Sequence, residues 1–341
     1  MPDPRLTPQL TGEDRPAKEY VFLLTPAFSM LAFAAAIEPL RVANRMTRRE
    51  IYKWRLVAEG GAEVTCSNGT TLQVDGALED VNRNSAIVVC SGLELEKAAS
   101  RGVITWLRKQ SRLGVEIGAV CTGADLLARA GLLEGKRCAI HWENQAAFAE
   151  TYPEIELSNL IYCVDGDVFT CAGGTASADM MLYLIAQDQG QDLGSLIADG
   201  LIHTQVRSEQ NEQRLSVPAR IGVRHPKLVT VIQKMEQSTE EPISPSELAS
   251  SVNMSTRQLE RLFRRYLDRS PKRYYMELRL EKARNLLLQT SMSVINVALA
   301  CGFTSPSHFS KCYRAHFNRT PYRERGGPGD GSQSKDTVGA A

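Results

Sequence analysis

The hydrophobic period changes once along this 341-residue chain, and the change divides it in two. Between residues 20 and 190, apolar runs of strand length alternate with segments of helical period. Tyr20–Leu24, Trp54–Ala58, Ala86–Cys90 and Val115–Val120 are the strand-like runs. Met30–Asn44, Arg101–Arg112 and Thr122–Ala130 carry apolar residues at helical spacing. Apolar strands without polar alternation are buried on both faces, which predicts a parallel sheet with helices on each side. Leu160–Val164 and Val168–Ala172 flank Asp165-Gly166-Asp167, a hairpin turn. Helices are predicted to follow at Ala176–Gln187 and Leu193–Arg207. From Pro226 to Phe317 every apolar pattern is helical. The expected fold is an α/β doubly wound sheet followed by an all-α domain.

The boundaries follow from composition. Residues 1–19, rich in Pro, Asp, Arg and Thr, read as a disordered tail, and 20–207 as the first domain. The polar stretch 208–223, with Pro218, reads as a linker. Residues 224–325 form the second domain, and the Gly/Ser-rich 326–341 a second disordered tail. No apolar run approaches the ~20 residues of a membrane helix. Met30–Ile37 is followed at once by Glu38 and Arg41. The N-terminus lacks a signal-peptide layout, so a cytoplasmic protein without membrane association is expected. None of the eight cysteines forms a C-x-x-C pair. Buried reduced thiols are expected, with no metal and no cofactor.

The formal charge of +1 hides an asymmetry. Residues 1–223 hold 21 Lys and Arg against 28 Asp and Glu, a balance of −7. Residues 224–326 hold 18 against 9, a balance of +9. Only the C-terminal part is suited to a polyanion.

That part contains a repeat. Leu248, Ala249, Val252, Asn253, Met254, Ser255, Leu259, Phe263, Leu267 and Pro271 reappear as Val297, Ala298, Cys301, Gly302, Phe303, Ser305, Phe309, Tyr313, Phe317 and Pro321. The offset is fifty from Ser255 and Ser305 onward, and the second turn carries one extra residue. Ser244-Pro245-Ser246-Glu247 and Ser255-Thr256-Arg257-Gln258 are capping boxes. Gly302 stands where a helix ends at positive φ, and Ser305-Pro306 restarts one. Leu259, Leu262, Phe263 and Tyr266 form an apolar stripe, with Arg257, Arg261 and Arg264 off it. Each copy is a helix, a tight turn and a second helix, the layout that places the early residues of a second helix in a major groove. The predicted reading residues are Thr256, Arg257, Gln258 and Arg261, then Ser307, His308 and Lys311. Arginine suits guanine and glutamine suits adenine. Arg265, Arg269, Lys272, Arg273 and Arg314 are candidates for phosphate contact. Two such helices on one module are expected about one DNA turn apart.

Here residues 224–325 resemble the AraC/XylS transcription regulators. The resemblance lies in the 298–314 run, which reads Ala298, Gly302, Phe303, Ser305, Ser307, Phe309, Ser310, Lys311, Tyr313 and Arg314, and in the closing Pro321. It implies two helix-turn-helix units joined by a long helix over Lys272–Leu288, with double-stranded DNA and RNA polymerase as partners. Asn318 stands where the family often has Gly.

In the first domain an apolar strand runs into Cys121-Thr122-Gly123 and then a helix. Such an elbow presents a thiol at a helix N-terminus, whose dipole favours thiolate. His141-Trp142-Glu143 follows twenty residues on. These residues, with Ala130-Gly131-Leu132-Leu133 and Ala172-Gly173-Gly174-Thr175-Ala176, resemble the PfpI branch of the class I glutamine amidotransferase-like superfamily over about 20–205. The resemblance implies a flavodoxin-like doubly wound sheet, with Cys121 and His141 in the places of nucleophile and base. The family's acid falls on Ala32, so the catalytic set is expected to be vestigial and the protein no enzyme.

The two-part arrangement is similar to regulators responding to glycine betaine, carnitine or arginine. Phe28-Ser29-Met30-Leu31-Ala32-Phe33 and Glu38-Pro39-Leu40-Arg41 carry that similarity too. It implies a homodimer that senses a small amino acid or quaternary amine and activates catabolic genes. The expected effector residues are Ser91, Cys121, Thr122, His141, Trp142, Glu143, Gly173 and Gly174. Trp142 would meet a cation and the elbow N–H groups a carboxylate. Two alternatives stay open: a Cys-dependent amidase or hydratase with an appended DNA-binding domain, and a redox-sensing regulator at Cys121.

Overall fold

The computed structural model describes residues 16–325, which separate into two compact units between Arg214 and Leu215. The expected tail at 326–341 lies outside the described residues, as do residues 1–15 of the other. Lys18 and Glu19, assigned to that tail, instead open the first strand.

The N-terminal unit begins with β1 (Lys18–Leu24), α1 (Met30–Thr47), β2 (Tyr52–Val57), a small hairpin of β3 (Glu63–Thr65) and β4 (Thr71–Gln73), and β5 (Ala86–Cys90). Next come α2 (Leu95–Ala98), α3 (Arg101–Arg112), β6 (Glu116–Val120), α4 (Gly123–Arg129), β7 (Arg137–Ala139), α5 (Gln145–Thr151) and β8 (Glu156–Ser158). It ends with β9 (Tyr162–Asp165), β10 (Val168–Cys171), α6 (Ala176–Gln189) and α7 (Gln191–Gly200). Six strands form one sheet in the order β2-β1-β5-β6-β10-β9, parallel except for the β9–β10 hairpin. This is the flavodoxin-like doubly wound sheet that the resemblance to the PfpI branch implied. The short pairs β3–β4 and β7–β8 gave no sequence signal, because three-residue strands show no period.

Both sheet faces are buried, as continuous apolar strands require. Tyr20, Phe22, Leu24, Ala86, Val88 and Cys90 pack toward α1, α6 and α7. Val21, Leu23, Ile87 and Val89 pack the other way, toward α3 and α4. The chain leaves β1 toward β2 and returns to β5 on its other side, so the order reverses there. In such sheets the strands' carboxyl ends form the ligand crevice. At those ends Ser29 N–H donates to Ser91 C=O at 3.3 Å, and Thr122 Oγ1 to Gly92 C=O at 2.7 Å.

The predicted helix over Leu193–Arg207 is shorter than expected. It stops at Gly200, where His203 N–H bonds back to Ala198 C=O at 2.9 Å and Ile202 takes φ 56°. This 6→1 closure turns the chain out of the helix. Residues 201–214 then lie along the N-terminal unit as a strap. Asp179, with no exposure, accepts from Arg207 Nη2 at 2.6 Å and Nε at 2.9 Å, and its Oδ1 is 2.7 Å from His203 Nε2. Ile161 N–H donates to Asn211 C=O at 2.9 Å. The polar stretch 208–223 is thus shared: its first half is bound to this unit, and its second contains α8 (Val217–Ile221) of the next.

The C-terminal unit continues with α9 (Pro226–Gln237), α10 (Pro245–Ser250), α11 (Thr256–Leu267) and α12 (Pro271–Gln289). After them come α13 (Val294–Ala300), α14 (Pro306–Phe317) and α15 (Pro321–Glu324). Leu228, Val231, Ile232, Leu248, Leu259, Phe263 and Tyr275 share its first core. Arg220 forks onto Glu236 at 2.7 and 2.8 Å, pinning α8 to α9. Among the described residues no helix is long and apolar enough to cross a membrane.

One contact in the sheet is open to a direct test. Gly118 on β6 lies opposite Phe169 on β10, and a Cβ there would sit 1.9 Å from the ring. Gly118→Ala must displace Phe169, an overpacking cost of about 1–3 kcal/mol. A fall in Tm of about 2–12 °C is expected by calorimetry. An unchanged Tm would mean that the ring is free to move.

Candidate functional site: paired reader helices and a strained cysteine turn

Local hydrogen bonding builds both helix-turn-helix units. Ser244 Oγ accepts from Glu247 N–H at 3.2 Å while the Glu247 carboxylate accepts from Ser244 N–H at 3.0 Å. Ser255 and Gln258 repeat the box at 3.3 and 2.8 Å. Such caps satisfy N–H groups that a helix start leaves unpaired. The turns close alike: Met254 N–H donates to Ala249 C=O at 3.0 Å and Phe303 N–H to Ala298 C=O at 2.9 Å. The residue before each has positive φ, Asn253 at 52° and Gly302 at 71°. Gly302 is required twice over, since a Cβ would lie 2.6 Å from Glu240 C=O. Asn318 takes φ 56°, matching Asp268 at 52° in the first copy.

The second helix of each unit, α11 and α14, exposes the side chains predicted to read DNA. Leu259, Leu262 and Phe263 are buried, while Thr256, Arg257, Gln258, Arg261 and Arg264 are exposed. In α14, Phe309 and Tyr313 are buried while Ser307, His308, Lys311 and Arg314 are exposed. Tyr266 departs from its expected place in the stripe: it is 38% exposed, with the Arg265 guanidinium 5.5 Å from its ring centroid. Gln258 is less available than its position suggests. Its carbonyl oxygen is held in the capping box, so a two-bond match to adenine would have to break that box. His308 Nε2 lies 3.4 Å from Cys312 Sγ. Among the candidates for phosphate contact, Arg269 and Arg273 both pair with Glu277. Arg279, which the sequence did not single out, ties α12 to the second turn. It donates to Cys301 and Gly302 carbonyls at 2.7 and 2.6 Å, and its guanidinium is 4.2 Å from the Phe303 ring centroid.

The cysteine turn sits at the carboxyl end of β6. Cys121 has φ 61°, a strained conformation for a residue with a Cβ, of the kind that costs about 1–3 kcal/mol. Gly173, at φ 88°, backs onto it so closely that a Cβ there would lie 2.7 Å from Cys121 Cβ. Gly174 follows at φ 57°. His141 N–H donates to Cys121 C=O at 3.2 Å, and His141 Nδ1 is 3.8 Å from Glu143 Oε2. The fold therefore gathers Cys121, Thr122, His141, Glu143, Gly173 and the Ser91–Gly92 loop at one place. Ser91 Oγ is fully buried there with no hydrogen-bond partner.

The thiolate expected at the elbow is not favoured. Burial is the main cause that pushes the Cys121 thiol up to about 11, with the Thr122 N–H acting to lower it and the nearby Glu143 carboxylate to raise it. Desolvation outweighs the short helix α4. Burial also lowers the His141 pKa, leaving the imidazole neutral. Ala32 is buried in the core that Cys121 packs against, so no acid stands there. At pH 7.5 Cys121 should alkylate with iodoacetamide more than ~100-fold more slowly than an ordinary exposed thiol. Its rate should rise roughly tenfold per pH unit toward pH 9.5. Peptide mass spectrometry measures both, and rapid labelling at neutral pH would restore a reactive thiolate.

Comparison with known proteins agrees with both halves. Residues 248–326 match a helix-turn-helix domain and residues 24–187 the DJ-1/PfpI family. The HTH-type transcriptional regulator CdhR of Pseudomonas aeruginosa is 45% identical over 309 residues, covering 91% of this chain and 92% of that one. The regulator GbdR of the same species is 43% identical over 94% of this chain and 87% of its own. The regulator GlxA of Rhizobium meliloti is 36% identical over 91% and 96%. A solved ThiJ/PfpI family protein from Pseudomonas syringae has the same fold, with a TM-score of 0.53 at 17% identity over 70% of this chain and 93% of that one. The chain is a transcription regulator rather than an enzyme, and it belongs to the AraC-type helix-turn-helix regulators that carry a DJ-1/PfpI domain.

Proposed function

We propose that this protein is an effector-responsive activator of genes for catabolism of a small amino acid or quaternary amine, such as glycine betaine or carnitine. The N-terminal unit takes the effector and forms the homodimer. The C-terminal unit reads DNA and engages RNA polymerase. The observation that carries the DNA half is the exposure of Arg257 and Arg261 on the first half of α11, opposite a fully buried apolar face. Ser307, His308 and Lys311 hold the matching positions on α14. The effector half is supported by the cluster at the strand ends. The unpartnered Ser91 Oγ and the Thr122 and Glu143 side chains offer polar contacts there, beside the neutral Cys121 and His141. The similarity to betaine-, carnitine- and arginine-responsive regulators supplies the effector class. For a thiol-dependent amidase or hydratase, and for a redox switch at Cys121, burial disfavours the thiolate, and Ala32 holds the place of the family's acid.

Arg261→Ala should lose about 1–3 kcal/mol on the preferred operator and much less on unrelated DNA, measured by gel shift or anisotropy at fixed salt. An equal loss on all sequences would reassign Arg261 to a phosphate. For the effector, a ligand at 100 times its Kd stabilises the unit that binds it by about 2.7 kcal/mol. A thermal-shift panel of glycine betaine, carnitine, dimethylglycine, choline, arginine and other amino acids should give one selective rise in Tm. A flat panel would remove this effector class while leaving DNA binding in place.

A further inference from the structure

Six of the eight cysteines are buried, and Cys121 and Cys312 are the two that keep some exposure. Cys312 is placed quite differently from the cysteine turn. It lies on α14 one helical turn after His308, and its Sγ is 3.4 Å from His308 Nε2. At that distance the ring nitrogen can accept the thiol proton, which sets a nucleophile beside a base. The His308 side chain is itself exposed, so a dissolved reagent can reach the pair. Cys312 also lines a groove of about 400 Å³ between α12 and α14. Met276, Leu280 and Ala315 supply its apolar lining, and Lys272 and Arg273 are its exposed cations. Its acid, Glu277, is already paired with both Arg269 and Arg273. His316, also in the lining, has Nε2 3.7 Å from Glu281. The groove thus has a cationic excess over an apolar lining, which suits a small anion with an apolar stem.

We infer that Cys312 is a modification site for a small disulfide carrying carboxylates, and that the adduct turns off DNA reading by α14. The step is thiol–disulfide exchange. His308 takes the Cys312 proton, and Cys312 Sγ bonds to one sulfur of the reagent. The reagent's own S–S bond breaks, and its second sulfur departs with that electron pair and then takes the proton. The disulfide is the oxidant: one half stays on Cys312 and the other leaves as a thiol. The effect on DNA follows from His308, which faces Cys312 on one side and belongs to the predicted reading set with Ser307 and Lys311 on the other. An anionic adduct crowds that imidazole. It also puts negative charge beside Lys272 and Arg273, the candidates for phosphate contact, where DNA brings its own. The switch rests on the proposal that α14 reads DNA, whereas the modification site does not depend on it.

The test treats full-length protein with oxidised glutathione at pH 7.5 and follows the adduct on each cysteine by peptide mass spectrometry. Cys312 should gain it at least about tenfold faster than the enclosed Cys121. Cystamine, a disulfide of opposite charge, is the control, and each rate is divided by that of an unstructured cysteine peptide. The normalised rate should be higher for glutathione, and Lys272→Gln should lower it by about two- to fivefold without slowing cystamine. Binding to operator DNA selected from random duplexes is then measured by anisotropy at fixed salt. The adduct should weaken it by at least about fivefold, and dithiothreitol should restore it. Cys312→Ser should bind like wild type and not respond to glutathione. An adduct that forms first on another cysteine, or an equal normalised rate for both disulfides, overturns the site. Full modification of Cys312 with unchanged operator affinity overturns the switch. If Ser307→Ala and Lys311→Ala also leave that affinity unchanged, the failure lies in the reading role of α14, and the modification site stands.

Discussion

A buried charge organises the N-terminal unit. Asp179 has no solvent exposure, and a carboxylate in that position is tolerated only when its lone pairs are met by cations and donors. Helix α6 does not supply them. They come from His203 and Arg207, 24 and 28 residues further along the chain. The fold must therefore bring residues beyond α7 back across its own surface. That return path creates the strap, carries Asn211 and Gln213 to their backbone partners, and sets Arg214 on Trp142. Removing one partner from such a group leaves an uncompensated charge, so the strap's upstream end is more firmly held than its polar composition suggests.

At the cysteine turn the same chemistry acts with the opposite sign. A thiol has no obligation to ionise, and enclosure among apolar residues keeps it neutral. The backbone strain at Cys121 and the close approach of Gly173 remain, although a group that would activate the sulfur is missing at Ala32. The geometry of a reactive elbow is thus present without its electrostatics. The thiol and the imidazole are both held neutral there, beside a serine hydroxyl with no partner, a set that fits the proposed effector contacts better than bond breaking.

The C-terminal unit shows how far two copies of one motif diverge in chemistry while keeping one geometry. Their turns close through equivalent backbone bonds, and both place a residue at positive φ. The first tolerates Asn253 there, whereas the second needs Gly302 because Glu240 and Pro242 press against it. On the exposed faces the first copy offers two arginines where the second offers a serine and a lysine. Under the proposed DNA contacts the two helices offer different donors, with the guanine-matching arginines on α11.

The sequence by itself determined the layers and the repeat. Uninterrupted apolar strands cannot face water, so the sheet's two-sided burial was legible in Tyr20–Leu24 and Ala86–Cys90. The capping boxes, Gly302 and the turn at Cys121 were legible because each depends on neighbours within a few residues. Tertiary structure alone decided the rest. The small strands β3, β4, β7 and β8 are too short for a period. The neutrality of Cys121 depends on what encloses it, and Gln258 serves a cap as well as a surface. The strap was hidden for the same reason: Arg207, Gln213 and Arg214 look like solvated residues of a linker. Their partners Asp179, Ile140, Leu160 and Trp142 lie 28 to 73 residues away, and no local pattern encodes a pairing over that distance.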